Sequence, residues 1–234
     1  MAYPEKNAFP QQIAKEAISE MHGIIKVGMS EAEIERIICE IMTKKGSQYW
    51  WYHGVGALVL LGKRSRVSMS ARDYKPDPDN RVAENDIITI DCSPTVDRYW
   101  GDYTRTIFME DGEVAPEDRP SHKENIEGLE TEFAIHRALV EECNPDMTYE
   151  EIFYRLNGKI KDLGYVNLDY HGNLGHSIEF DEWDRYYLEK GSTKTIREVG
   201  KPFTLEPHIA LPKTGHGFKR ENIYYIDGNT FNCL

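Results

Sequence analysis

The chain runs twice through one order of elements, a pair of amphipathic helices followed by strands. In residues 11–27, Ile13, Ala17, Ile18, Met21, Ile24 and Ile25 recur at helical spacing, and Gly28 ends the segment. Ser30-x-x-Glu33 then reads as a capping box, in which side chains at either end of the first turn satisfy otherwise orphaned backbone N–H groups. Ile34, Ile37, Ile38 and Ile41 give the second helix one apolar face, and Lys44, Lys45 and Gly46 suit its C-terminus. Strands are expected at 57–61, 87–92 and 99–108, with 94–98 turning a hairpin. A polar stretch at 110–120 is expected to be an exposed linker. Beyond it come a helix over 124–142, a second from the Thr148-x-x-Glu151 capping box to Leu163, and strands at 203–206 and 217–226. Two αα-then-β halves, about 10–110 and 123–227, can pack as one α+β domain over 1–234, with a curved sheet surface inside and helices outside.

Several strand segments carry charge where burial is expected. Asp91 ends the run Ile87-Ile-Thr-Ile-Asp91-Cys92, and Asp102 sits in Trp100-Gly-Asp102-Tyr-Thr-Arg105-Thr-Ile-Phe108. An unpaired buried carboxylate costs several kcal/mol or stays protonated, so such acids are expected to meet bases or metals. Arg105 alone cannot neutralise both. His176 in Gly175-His176-Ser177-Ile178, Glu206 in Thr204-Leu-Glu206-Pro207, and Glu221 in Lys219-Arg220-Glu221-Asn222-Ile223 complete a set of four acids and one imidazole. If they converge, two divalent ions balance the four negative charges. Carboxylate oxygens with one imidazole favour Mn, Co, Fe or Zn over thiolate-seeking metals.

The ordered set Asp91, Asp102, His176, Glu206, Glu221, with its two aspartates on a hairpin, resembles that of the pita-bread metallopeptidases, the superfamily of methionine aminopeptidase, aminopeptidase P, prolidase and creatinase. The resemblance spans roughly residues 11–226. It implies the pita-bread fold and a dinuclear site in which Asp91 binds one ion, Asp102 and Glu221 bridge, and His176 with Glu206 complete the second. It further implies that Glu206 shuttles protons, that Arg105 supports the metal carboxylates, and that hydroxide formed on the metals cleaves an amide or C–N bond of a peptide N-terminus or small metabolite.

The departures from that family concern the substrate pocket. An accessory histidine expected after the first-half strand is absent from Gly62-Lys-Arg64-Ser-Arg66-Val-Ser-Met69-Ser70, and a second, seven residues beyond His176, is Trp183. Glu179 stands where the family carries glycine. His208 is the preferred substitute, because it follows Glu206 by two and a regular strand turns both side chains to one face. His171 and His53 are further candidates, while His22, His122, His136 and His216 are expected at the surface. Arg64 and Arg66 are candidates to clamp a substrate carboxylate, beside the alternative of a solvated turn. Trp50, Trp51 and Tyr52 are expected to be partly core, with an aromatic pocket wall as the sharper alternative.

Composition narrows the partners. The 234 residues, 40% of them apolar, suffice for one substantial core. A net charge of −12 argues against general affinity for nucleic acid or anionic membrane, and no apolar stretch reaches spanning length. Cys39, Cys92, Cys143 and Cys233 show no C-x-x-C pairing, and Met1-Ala-Tyr-Pro lacks a signal core, so a cytoplasmic protein without disulfides is expected. The expected partner is a peptide or small-molecule substrate, and a homodimer is admissible. Competing readings are a noncatalytic pita-bread binding module, and a metal-dependent lyase or oxidative enzyme on the same scaffold.

Overall fold

A computed structural model describes residues 5–178, 185–213 and 215–234. The first half opens with α1 (Glu5–His22) and α2 (Glu31–Lys44). Both expected hydrophobic faces are buried, with Ile13, Ile18, Met21, Ile34 and Ile38 in one core cluster. Helix α1 ends before residue 27, because the chain turns at Gly23 and Ile24. Ser30 and Glu33 form the full reciprocal capping box.

Seven strands follow: β1 (Tyr49–Trp50), β2 (Ala57–Leu61), β3 (Asp86–Cys92), β4 (Pro94–Val96), β5 (Tyr99–Trp100), β6 (Tyr103–Glu110) and β7 (Glu113–Val114). The sheet order β2-β3-β6-β7 is antiparallel, and a smaller sheet has the order β1-β4-β5. Strand β3 is covered on both sides, which is why it reads as a nearly continuous apolar run. Ile88, Ile90 and Cys92 pack towards α1 and α2, whereas Ile87 joins the core of the second half. Period-two alternation therefore turns Thr89 and Asp91 away from the helices and into a pocket.

The second half repeats the order with α3 (Lys123–Glu142), α4 (Tyr149–Asp162), β8 (Val166–Asn167), α5 (Ile196–Val199), β9 (Phe203–Leu205), β10 (His208–Ala210), β11 (Phe218–Lys219), β12 (Asn222–Asp227) and β13 (Thr230–Cys233). Its sheets run β11-β10-β8 and β13-β12-β9. Thr148 and Glu151 form the expected capping box, and an unforeseen third, Thr195 with Glu198, starts α5. Leu129, Ile135, Leu139, Ile152 and Leu156 of α3 and α4 pack on Phe203, Leu205 and Phe218.

Two strand expectations change where the site forms. The segment 99–108 breaks at Gly101-Asp102, and 217–226 breaks at Arg220-Glu221. Both interruptions carry a candidate ligand. The polar stretch 110–120 is exposed along most of its length but anchored: Glu110 accepts hydrogen bonds from Ser121, His122 and Asn125, and Asp118 pairs with Arg220. All four cysteines are free thiols. Among the described residues, no helix is long and apolar enough to cross a membrane.

Candidate metal centre

The site forms where β6 of the first half meets the 217–223 segment of the second. Glu221 N–H donates to the Thr104 carbonyl at 3.0 Å, Lys219 N–H donates to Thr106 Oγ1 at 2.9 Å, and Arg105 Nη1 donates to the Glu221 carbonyl at 2.8 Å. Arg105 also donates to Asn222 Oδ1 at 2.8 Å and stacks on Tyr103, 3.7 Å from the ring centroid. It thus holds the backbone of Glu221, whereas support of the metal carboxylates themselves was expected.

Two glycines let the ligand-bearing segments approach their supports. A Cβ on Gly101 would lie 2.5 Å from the Pro10 carbonyl carbon and oxygen, so only glycine lets this turn rest on α1. Gln11 then receives the turn, its Oε1 accepting Asp102 N–H at 2.8 Å and its Nε2 donating to the Asp102 carbonyl at 3.0 Å. Gly175 has φ +146°, and a Cβ there would meet the Thr204 carbonyl oxygen at 2.1 Å. Thr204 N–H donates to the His176 carbonyl at 2.8 Å, and Glu206 N–H donates to that of Leu174 at 2.8 Å, which brings His176 and Glu206 alongside each other.

His176 has one ring nitrogen committed. Nδ1–H donates to the Ser177 carbonyl at 3.0 Å, leaving the Nε2 lone pair 3.4 Å from Asp102 Oδ2 and 3.9 Å from Glu206 Oε1. Burial, then Arg185, pushes its pKa down to about 3, so the ring is neutral as a metal ligand must be. The imidazole lies edge-on to Trp51, which stacks on Trp100 at 4.5 Å and donates from Nε1 to the Gly101 carbonyl at 3.0 Å. The aromatic cluster is therefore both core and pocket wall.

Ligand atoms of Asp102, His176 and Glu221 all lie within 4.8 Å of one another, and all three residues are buried. Asp102 Oδ2 and Glu221 Oε1 find no hydrogen-bond partner. Burial and the neighbouring carboxylates hold the pKa values of both acids well above the ordinary range. Two buried, unpartnered carboxylate oxygens facing a free imidazole nitrogen are a fitting donor set for a divalent cation, whose charge would reverse those shifts.

Asp91 and Glu206 face a different cation. Lys219 Nζ lies 2.6 Å from Asp91 Oδ2 and 3.0 Å from Glu206 Oε2. Burial alone would lower the lysine pKa, but Asp91, Glu206 and Glu221 together raise it well above the usual value. Lys219 escaped the sequence reading, although a signal existed: it precedes Glu221 by two in a strand-like run, and alternate positions share a face. Arg185 was also missed. It lines the pocket 5.2 Å from the Trp51 ring centroid and 5.4 Å from that of Tyr187.

The pocket, about 240 Å³, brings together Asp91, Asp102, His176, Glu206, His208 and Lys219, with Trp51, Tyr52 and Met69 among its walls. His208 is neutral, burial pushing its pKa down to about 4, and its Nε2 donates to the Ser65 carbonyl at 2.5 Å. With its one proton committed to that carbonyl, the imidazole offers the pocket an acceptor, and the structure argues against the donor role expected for it. The other expected substrate residues lie elsewhere. Arg64 pairs with buried Glu31, Arg66 donates to the carbonyls of Leu211 and His216, and His171 is exposed with its backbone held by Asp169. Trp183 lies outside the described residues. His136, expected at the surface, is buried between the Tyr224 hydroxyl and the Arg220 carbonyl.

The sequence pattern of metallopeptidase family M24 matches residues 10–228. The Xaa-Pro dipeptidase of Pyrococcus furiosus is 26% identical over 220 residues, covering 93% of this chain and 57% of that protein. The methionine aminopeptidase of Helicobacter pylori is 26% identical over 209 residues, covering 85% of this chain and 76% of the relative. In structure, X-Pro aminopeptidase from Thermotoga maritima superposes with a TM-score of 0.80 at 20% identity, over 98% of this chain and 59% of the other. Methionine aminopeptidase from the same organism gives 0.76 at 14% identity, over 98% and 94%. The chain thus spans little more than half the length of the Xaa-Pro dipeptidase and nearly all of that aminopeptidase structure, and its fold is that of the pita-bread enzymes.

Proposed function

The chain belongs to metallopeptidase family M24, and from that premise we propose that it hydrolyses the amide bond of a short peptide or compact small amide with a divalent metal ion. One observation carries the proposal: the carboxylates of Asp102 and Glu221, each with one unpartnered oxygen, converge with the imidazole of His176. A divalent ion held by these three residues would polarise the substrate carbonyl and lower the pKa of water. Glu206, one oxygen held by Lys219 and the other turned towards His176, takes the proton of the attacking water and returns it to the departing amine. Trp51 and Tyr52 wall the cavity. The resemblance implies two ions, and the donors in hand divide into an open cluster of three and a pair closed by Lys219.

The cavity, at about 240 Å³, falls below the roughly 300–1,000 Å³ of common small-ligand pockets. A dipeptide-sized substrate suits it. The relatives' names make Xaa-Pro and N-terminal Met peptides the standard against which turnover is compared. Met69 lines the cavity where an accessory histidine was expected, so turnover of those standard peptides is expected to be poor. Arg185 lies at the aromatic wall of the cavity.

Elemental analysis of purified wild type, Asp102→Asn and Glu221→Gln tests the reading. Wild type should retain divalent metal through gel filtration, and both variants should lose it together with amide hydrolysis. Equal metal content in all three proteins would remove Asp102 and Glu221 from the site.

A further inference from the structure

We propose that Lys219 is a resident cation standing in for one of two divalent ions, so that the site binds a single ion tightly, at Asp102, His176 and Glu221. The inference rests on the metal-dependent reading above and deepens it. Lys219 is placed firmly. Its N–H donates to Thr106 Oγ1 at 2.9 Å, its carbonyl accepts from the same hydroxyl at 3.1 Å, and in the β10–β11 pair it stands opposite His208. The side chain runs into the pocket, 17% exposed, and places its ammonium between Asp91 and Glu206.

The division of carboxylate atoms follows the division of charge. The contacts of Asp91 Oδ2 and Glu206 Oε2 are made to Nζ, while the orphaned Asp102 Oδ2 lies 3.4 Å from His176 Nε2 and the Glu221 carboxylate, with Oε1 orphaned, joins the same cluster. A lysine ammonium is a compact point charge with three donors, suited to occupying a gap between carboxylates much as a small cation does. A divalent ion taking Asp91 as a ligand, where the resemblance puts one of the two ions, would displace the ammonium from that carboxylate. It would also set like charges side by side in a poorly solvated space. The lysine therefore weakens the ion site at Asp91 more than the one at Asp102, His176 and Glu221. Glu206 joins the two, with Oε2 on the ammonium and Oε1 3.9 Å from His176 Nε2.

Titration of the metal-free full chain with Mn²⁺, read by calorimetry and by electron paramagnetic resonance, tests the assignment. Wild type should bind one tight equivalent and show the spectrum of an isolated Mn²⁺. Lys219→Met should gain a second ion at least tenfold tighter than any second binding in wild type, with spin coupling between the pair. Asp91→Asn should keep the first ion within about threefold of wild-type affinity, because Asp91 holds the lysine; this arm and the wild-type count stand if Lys219→Met fails to fold. Two tight, coupled ions in wild type would overturn the inference and leave metal dependence intact. One ion in both wild type and Lys219→Met, or loss of the first ion in Asp91→Asn, would also overturn it. No bound ion in wild type would remove both readings.

Discussion

Thr104 grips Glu221 twice across the two halves: its hydroxyl donates to Glu221 Oε2 at 2.9 Å, and its carbonyl accepts Glu221 N–H at 3.0 Å. The first contact fixes which carboxylate oxygen remains for a metal, namely the orphaned Oε1. Thr104→Val keeps the shape and the backbone contact while removing the hydroxyl. Groups that orient a ligand typically contribute about 10–100-fold to metal affinity. A loss in that range, with the melting temperature nearly unchanged, is expected from metal titration and calorimetry. Unaltered affinity would show that Glu221 orients itself.

Gly175 is required by both its backbone angle and its surroundings. In Gly175→Ala the new methyl would meet the Thr204 carbonyl, whose strand must then move away from His176. Overpacking and a disfavoured backbone angle together should cost about 3 kcal/mol or more. Chemical denaturation checks the stability, and elemental analysis should show reduced metal retention even where the variant remains folded.

Acid should weaken the fold through Glu110. Burial pushes this carboxyl up, but hydrogen bonds from Asn125, Ser121 and His122 together outweigh it and bring the pKa down to about 2. A group depressed in the folded state contributes stability above its unfolded value, near 4.3, which is lost as pH falls through that value towards 2. Glu110→Gln should therefore cost about 1–2 kcal/mol at pH 7 and much less at pH 2. Parallel denaturation curves at both pH values test this. An equal cost at both would mean that the charge contributes nothing.

His208→Ala separates a proton donor from a structural link. Because the imidazole N–H is committed to the Ser65 carbonyl, kcat should fall by less than about tenfold and some stability should be lost. A general acid typically contributes about 10²–10⁴-fold. A decrease of that size at unchanged metal content would restore the donor role.

Helix starts and strand runs were legible because each follows from local patterning, and of the five candidate ligands Asp102, His176 and Glu221 meet in one buried cluster. Ser30 with Glu33 and Thr148 with Glu151 cap as the sequence indicates. The pairing of Arg64 with Glu31 could not be read, because the two residues meet only when the turn after β2 folds against α2. His136 gave no signal of burial, since its partners Tyr224 and Arg220 lie far along the chain. Lys219 was visible as a strand residue beside Glu221, but its effect depends on Asp91 arriving from the opposite half.

Metal-dependent amide hydrolysis at this site can be measured directly. The most direct measurement is mass-spectrometric product analysis of a library of dipeptides, tripeptides and small amides incubated with metal-loaded protein, with chelator, and with metal restored. Cleavage of a compact substrate should stop on chelation, return with metal, and be absent in Glu221→Gln. Cleavage indifferent to chelator, or no hydrolysis of any library member by protein that retains its metal, would contradict it.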